Sequence, residues 1–133
     1  MDPSYGFTAR LAGVSPEEAR ARATEALKEQ GFGVLTEIDV KATLKKKLDA
    51  EFRPYVILGA CNPQLAKRAL EADLGVGLLL PCNVVIWEED GASVVSFADP
   101  RAMFQIVRND ALQPIVDEAE RRLRAALAAL TKH

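Results

Sequence analysis

Hydrophobic positions along this sequence recur with two periods, one typical of strands and one typical of helices. Alternation from Tyr5 to Leu11 predicts a first strand with one buried face. The pair Ser15-Pro16 then predicts a helix start, with serine as the N-cap, and Gly31 is placed to end that helix. Its inner stripe is small, which predicts close approach to a sheet: Ala19, Ala23, Ala26 and Leu27.

The next segment repeats the alternation of strand and helix. Residues 32–38 predict a second strand, and Asp39 can cap a short helix rich in lysine. Residues 55–58 are apolar on both faces, which is typical of a central strand. That strand leads into a helix in which Asn62 is the N-cap and Pro63 the first residue.

A β-hairpin follows. Asp90-Gly91 is a favoured two-residue turn between strands predicted over 83–89 and 92–98. Counting outward from the turn gives two pairs that share a face, Ile86 with Val95 and Val84 with Phe97.

A last helix is predicted from about residue 110 to 130, after a turn or short helix within 102–107. Its outer side offers three acid-first ion pairs, Asp117–Arg121, Glu118–Arg122 and Glu120–Arg124. The order of elements predicts an α+β fold, a two-layer sandwich in which helices pack on a mixed or mostly antiparallel sheet.

Composition narrows the class of protein. The chain has 133 residues, so we expect a single domain over 1–133. A net charge of −2 argues against binding to nucleic acid, and no apolar run approaches the ~20 residues of a membrane span. The first residues lack the pattern of a signal peptide, so we expect a soluble, cytoplasmic protein with no membrane partner.

Residue counts exclude several chemistries. The only histidine is His133, so a histidine-based triad would have to use the last residue. Zinc patterns of the HExxH, Cys₄ and Cys₂His₂ kinds are absent from the sequence, as are phosphate-binding glycine loops. The two cysteines, Cys61 and Cys82, are too few for a secreted disulfide framework.

Two segments carry a resemblance to a known family. They are the Cys-Asn-Pro motif at residues 61–63, at the end of the apolar strand, and the Leu-Pro-Cys-Asn motif at residues 80–83. With these motifs the chain resembles the bacterial family called domain of unknown function 302 (DUF302) over nearly its whole length. The resemblance implies a small α+β domain with a curved sheet of the TATA-binding-protein class, and it implies no activity. The high usage of Arg, Ala, Leu and Glu would also suit a thermophile.

Cys61 is the most suggestive candidate for chemistry. It leaves a buried strand directly before a capped helix, where the helix field would favour an anion and lower the pKa of a thiol. The alternative is a small buried hydrophobe that seals the corner between strand and helix. The same alternative is stronger for Cys82, and Asn62 has a sufficient role as a helix cap.

If the two strands were neighbours, four residues could line one pocket edge: Cys61, Asn62, Cys82 and Asn83. Two soft thiolates would be a partial site for zinc or copper(I), which would need further donors such as Asp99 or Glu88. The first hypothesis is therefore a small-ligand or metal-binding domain, with an anionic ligand or a soft metal at this place. An alternative is a thiol-dependent enzyme or redox protein that uses Cys61, and a third is a purely structural or partner-binding subunit.

The sequence also predicts a homodimer. The hairpin face opposite the predicted core is apolar too, with Val85, Trp87 and Val94. An exposed apolar patch of this kind is larger than soluble monomers usually leave exposed to water. Pairing two copies across a two-fold axis would bury it. The competing interpretation is that the lysine-bearing helix, with Lys45, Lys46 and Lys47, or the segment 101–107 folds over that face.

Overall fold

The computed structural model describes residues 2–131, and His133 lies outside this part of the chain. One five-stranded sheet forms its centre, in the order β1-β5-β4-β3-β2, with every neighbouring pair antiparallel. The strands are β1 (Gly6–Ala12), β2 (Gly33–Asp39), β3 (Tyr55–Cys61), β4 (Cys82–Glu89) and β5 (Ala92–Ala98). The predicted α+β class is confirmed, and of the two predicted kinds of sheet the antiparallel one is observed.

Five α-helices join or follow these strands. They are α1 (Pro16–Glu29), α2 (Val40–Leu48), α3 (Pro63–Ala72), α4 (Pro100–Met103) and α5 (Gln113–Leu130). Short 3₁₀ turns precede β4, follow α4 and precede α5, over Leu74–Leu79, Phe104–Ile106 and Asp110–Leu112. Within the residues that the structure describes, no helix combines the length and the apolar character that crossing a bilayer requires.

The ends of α1 form as its sequence predicts. The Ser15 hydroxyl oxygen accepts a hydrogen bond from the backbone N–H of Glu18 (3.1 Å). Gly31 has a φ of +85°, a conformation that favours glycine and ends the helix. The predicted inner stripe, from Ala19 to Leu27, is buried against the sheet.

Helices α1 and α5 pack side by side on one face of the sheet. The side chains below them come from four strands and form the main core: Phe7, Leu11, Leu58, Ala60, Val84, Ile86, Val95 and Phe97. Arg122 of α5 donates to the carbonyl of Gln30 at the end of α1 (3.1 Å) and to the carboxylate of Glu118 (2.7 Å). This side chain therefore joins the two helices at one end of the layer.

The hairpin has the predicted register. Ile86 pairs with Val95 and Val84 with Phe97, around a turn at Asp90 and Gly91 in which both residues have positive φ. Two of the three predicted ion pairs on α5 form, Glu118–Arg122 and Glu120–Arg124.

The predicted pair Asp117–Arg121 is wrong. Arg121 binds Glu118 instead (2.6 Å), and Asp117 accepts a hydrogen bond from Arg101 (3.0 Å). Arg101 comes from a distant segment of the chain, which is why helical spacing alone could not predict it.

Gly59 is the position where the sheet leaves least room. A Cβ at Gly59 would lie 2.8 Å from Cγ of Pro81 and would overlap the hydroxyl oxygen of Thr36. Pro81 is a rigid ring, so the neighbours cannot yield without moving backbone. Gly33, at the start of β2, has open space in the same direction.

We expect Gly59→Ala to lower the free energy of unfolding by about 1–3 kcal/mol, because the added methyl group overpacks this contact. Gly33→Ala is the matched control and should change it by less than about 0.5 kcal/mol. Urea denaturation of the three proteins measures both values. Equal midpoints for Gly59→Ala and the parent would contradict the contact.

Candidate functional site

A small cavity lies where two hydrophobic clusters meet. The main core contributes Phe32 and Ala60, and a second cluster around α3 and the start of α5 contributes Leu65, Ala69 and Ile115. The cavity has a volume of about 40 Å³, and its lining is almost wholly apolar. Its remaining lining residues are Cys61, Asn62, Ala66, Leu80, Cys82, Pro100, Phe104, Val116 and Ala119.

Both cysteines line this cavity. Cys82 is the first residue of β4 and pairs directly with Ala60 of β3, so Cys61 is offset from it by one residue across the two strands. Both are free thiols and only partly exposed. The sequence suggested that the cysteines could meet if β3 and β4 were neighbours, and the structure has the two strands side by side.

Asn62 joins the cavity to the helix layer. Its side chain is 7% exposed, and its carbonyl oxygen accepts a hydrogen bond from the backbone N–H of Leu65 (3.2 Å), which caps α3. Its amide nitrogen lies against Gly31, where a Cβ would come within 3.0 Å of it. The residue therefore has the cap role that the sequence predicts and also borders the cavity.

The structure does not bring Asn83 to this cavity. Asn83 pairs with Gly59 and is exposed, whereas its neighbour Cys82 pairs with Ala60. Side chains alternate between the two faces of a strand, so Asn83 points to the face opposite the helices. Three of the four candidate residues thus meet, and the fourth lies elsewhere.

The donors named for a metal ion do not join the thiols. The carboxylate of Asp99 accepts a hydrogen bond from the backbone N–H of Arg101 (2.9 Å) and caps α4. Glu88 lies six residues along β4 from Cys82, which is about 20 Å in an extended strand. Over residues 2–131, no group of three His, Cys, Asp or Glu side chains could hold a metal ion.

Burial acts on both thiols in the direction opposite to the helix field. It raises the pKa of Cys61, and it raises the pKa of Cys82 to about 11, with a smaller contribution from the neighbouring Cys61. Burial therefore opposes the lowering of the Cys61 pKa that the sequence predicts. At neutral pH both side chains are protonated thiols, which are weak nucleophiles.

The face of the sheet opposite α1 and α5, here called the open face, is a second feature. Tyr55 of β3 stacks on Trp87 of β4, with ring centres 5.7 Å apart and planes 6° apart. A groove of about 390 Å³ runs along this face. It is lined by Pro3, Tyr5, Thr8, Arg10, Tyr55, Val85, Trp87, Glu89, Val94 and Ser96.

The lysine cluster of α2 is exposed. Lys45 binds the carboxylates of Asp49 (2.8 Å) and Glu51 (2.9 Å), and these hydrogen bonds raise its pKa. Lys46 and Lys47 are likewise exposed on this helix.

Sequence patterns missed the far wall of the cavity. Phe104 comes from a 3₁₀ turn and Ala119 from α5, and neither belongs to a motif that the sequence analysis singled out. Their shared property is apolar character, which is equally typical of an ordinary core. Only the Cys-Asn-Pro and Leu-Pro-Cys-Asn segments could therefore point to the cavity from the sequence.

Thiol alkylation tests the pKa values. Because the thiolate is the reacting form, a raised pKa means that the rate with iodoacetamide at pH 7 is low and climbs about tenfold per pH unit. For Cys82 this climb should continue to about pH 11, and Cys61 should react first. Rates are measured on the Cys61→Ala and Cys82→Ala variants, each with one thiol left. A rate that levels off below pH 8.5 would contradict the raised pKa of the remaining thiol.

A family model and a solved structure assign this chain to the same family. A family model described as domain of unknown function DUF302 matches residues 7–130. The crystal structure of an uncharacterized conserved protein DUF302 from Bacillus stearothermophilus superposes with a TM-score of 0.87. It is 34% identical, over 96% of this chain and 98% of that one. Comparison with curated proteins gives no significant match. The match over nearly all of the described chain means that this protein belongs to the DUF302 family.

Proposed function

We propose that the protein is a small-ligand-binding domain whose site is the cavity bordered by Cys61, Asn62 and Cys82. The observation that carries this proposal is that Cys61, Cys82 and the buried residue Asn62 all line one apolar cavity. Convergent polar groups in an otherwise apolar recess are typical of binding sites. The alternative, an ordinary packing gap between two clusters, predicts that nothing binds there.

The lining and the size of the cavity indicate the ligand class. An apolar wall favours an alkyl group over the anionic ligand that the sequence suggested, since an unpaired charge there would be costly. A volume of 40 Å³ exceeds the ~10–15 Å³ that one water needs and is far below the ~300 Å³ of a drug-sized pocket. The ligand would therefore insert only a short apolar end.

A soft metal ion and a thiol enzyme are weaker candidates. Zinc needs about four ligands, and residues 2–131 offer no cluster beyond the two thiols. A two-coordinate copper(I) ion would require both thiols to ionise in apolar surroundings, which the raised pKa values oppose. The same raised pKa values weaken a nucleophilic role for Cys61.

Filling the cavity should abolish binding. Ala119→Leu adds side-chain volume at the lining, whereas Ala125→Leu adds the same volume on an exposed side of the same helix. With 1-hexanol as the probe, we expect amide chemical shifts around the cavity to move in the parent and in Ala125→Leu. In Ala119→Leu these shifts should be lost or shrink by about tenfold, since the alkyl end is displaced.

One further variant and one titration make this test specific. Cys61→Ala should alter the amide chemical-shift changes that 1-hexanol produces. Circular dichroism checks that each variant is folded, so that a lost response cannot be due to unfolding. Titration of the reduced parent with copper(I) tests the metal alternative directly. If Ala119→Leu binds 1-hexanol as the parent does, the assignment of the site is wrong.

A second candidate function is that of a self-associating subunit. The chain exposes 7994 Å², whereas a monomer of 14.5 kDa exposes about 6,900 Å². The excess of roughly 1,100 Å² is comparable with the area that a stable protein interface buries. The homodimer predicted from the sequence would account for it.

Two other expectations remain predictions. The free thiols favour a reducing compartment, in agreement with the cytoplasmic location expected from the sequence. The single domain expected over residues 1–133 also remains a prediction.

Sedimentation tests self-association. At micromolar concentration we expect a mass of twice 14.5 kDa, because burial of the excess area stabilises the pair. Analytical ultracentrifugation of the full chain measures it. A mass of one chain would reject the dimer and leave the open face to water.

A further inference from the structure

We propose that a second copy of this chain covers the open face, with the two sheets packed face to face and Val85 next to the two-fold axis. The proposal rests on the self-association proposed above and adds which surface is buried. Val85 lies midway along β4, and β4 is the third of the five strands. A two-fold axis through the centre of the face would therefore bring Val85 close to its own copy.

The open face has the composition of an interface between subunits. Its centre is apolar and aromatic, with Val85 paired to Ile57 and Trp87 stacked on Tyr55. Polar side chains surround this centre: Thr8, Arg10, Asn83, Glu89 and Ser96. An apolar centre with aromatic residues and a polar rim is typical of protein–protein contacts.

The area of the face is sufficient for a stable pair. Five strands of seven or eight residues, at ~4.8 Å spacing and ~3.4 Å per residue, make a face of about 24 Å by 24 Å. The flat area of two such faces is ~1,150 Å², without the extra area of protruding side chains. A biological interface is expected to bury at least ~1,000 Å² in total.

The two segments that could cover the face within one chain do not line its groove. Residues 101–107 line cavities together with Val116 of α5, on the side of the helices. The groove on the open face receives no residue from α2 among those that the structure describes. Helix α2 contacts β2 and β3 instead, at one edge of the sheet.

Extension of the sheet through β1 is a weaker route to a dimer. The outward backbone N–H of Thr8 already donates to the carboxylate of Asp2 (2.8 Å), and the N–H of Gly6 donates to Pro3 (3.3 Å). The first residues therefore occupy part of this edge, which an added strand would need. Face-to-face packing leaves these bonds intact.

Charge does not oppose the pairing. The groove carries one cation, Arg10, and one carboxylate, Glu89, so its two copies do not bring charges of a single sign together. The Glu89 carboxylate also accepts a hydrogen bond from Nε1 of Trp87 (3.1 Å). The polar end of the indole is thus satisfied while its ring remains available for contact.

Trp87 reports on this face without any mutation, because it is the only tryptophan. On dilution from micromolar to nanomolar concentration, its emission should shift to the red and become more open to acrylamide quenching as the dimer dissociates. The change should follow the mass measured by sedimentation. If the mass halves and the Trp87 emission stays constant, the interface lies elsewhere and the proposal is overturned, while self-association stands.

A pair of charge variants gives the second measurement. Val85→Glu places like charges at the axis and should weaken association by more than about a hundredfold. Leu78→Glu is the matched control, since Leu78 is 92% exposed in the turn before β4 and outside the groove, and it should remain dimeric. Retained association in Val85→Glu, or its loss in Leu78→Glu, overturns the assigned surface. A parent that sediments as one chain overturns both self-association and this surface, and if Val85→Glu fails to fold, the dilution of the parent decides.

Discussion

Helix α1 must cross the whole sheet, and the rest of the structure depends on this crossing. It joins β1 to β2, which lie at opposite edges of the sheet. The inner side of this helix is mostly small, with Ala19, Ala23 and Ala26, which lets its backbone lie close to the strands. The remaining space on this face is filled by α5, which packs beside α1 and is joined to it through Arg122.

The position of the cavity follows from that arrangement. Since α1 and α5 occupy the face, α3 packs with the start of α5 in a cluster of its own. Two separately packed clusters then meet over the end of β3 and the start of β4, where Cys61 and Cys82 lie. The gap between them is apolar because both clusters are apolar. Burial raises the pKa of both thiols, in the direction opposite to the effect of the field of α3.

Local signals in the sequence predicted most of the fold. Caps at Ser15, Asp39 and Asn62 and the turn at Asp90 and Gly91 fix where elements begin, and each acts within a few residues. Features that depend on distant segments could not be predicted. Examples are the bond of Arg101 to Asp117, the contact of Gly59 with Pro81 and the cavity wall at Phe104. The candidate site was predicted in part, because neighbouring strands bring the cysteines together whereas alternation along β4 turns Asn83 away.

The cavity and the open face share two strands, β3 and β4. The residues that line the cavity and those that line the groove form two sets with no member in common among the described residues. On β4 the cavity receives Cys82, while the groove receives Val85 and Trp87. On β4, alternation therefore directs Cys82 to one face of the sheet and both Val85 and Trp87 to the other. If both proposals hold, the ligand would lie on the side of Cys82 and the second copy of the chain on the side of Val85 and Trp87.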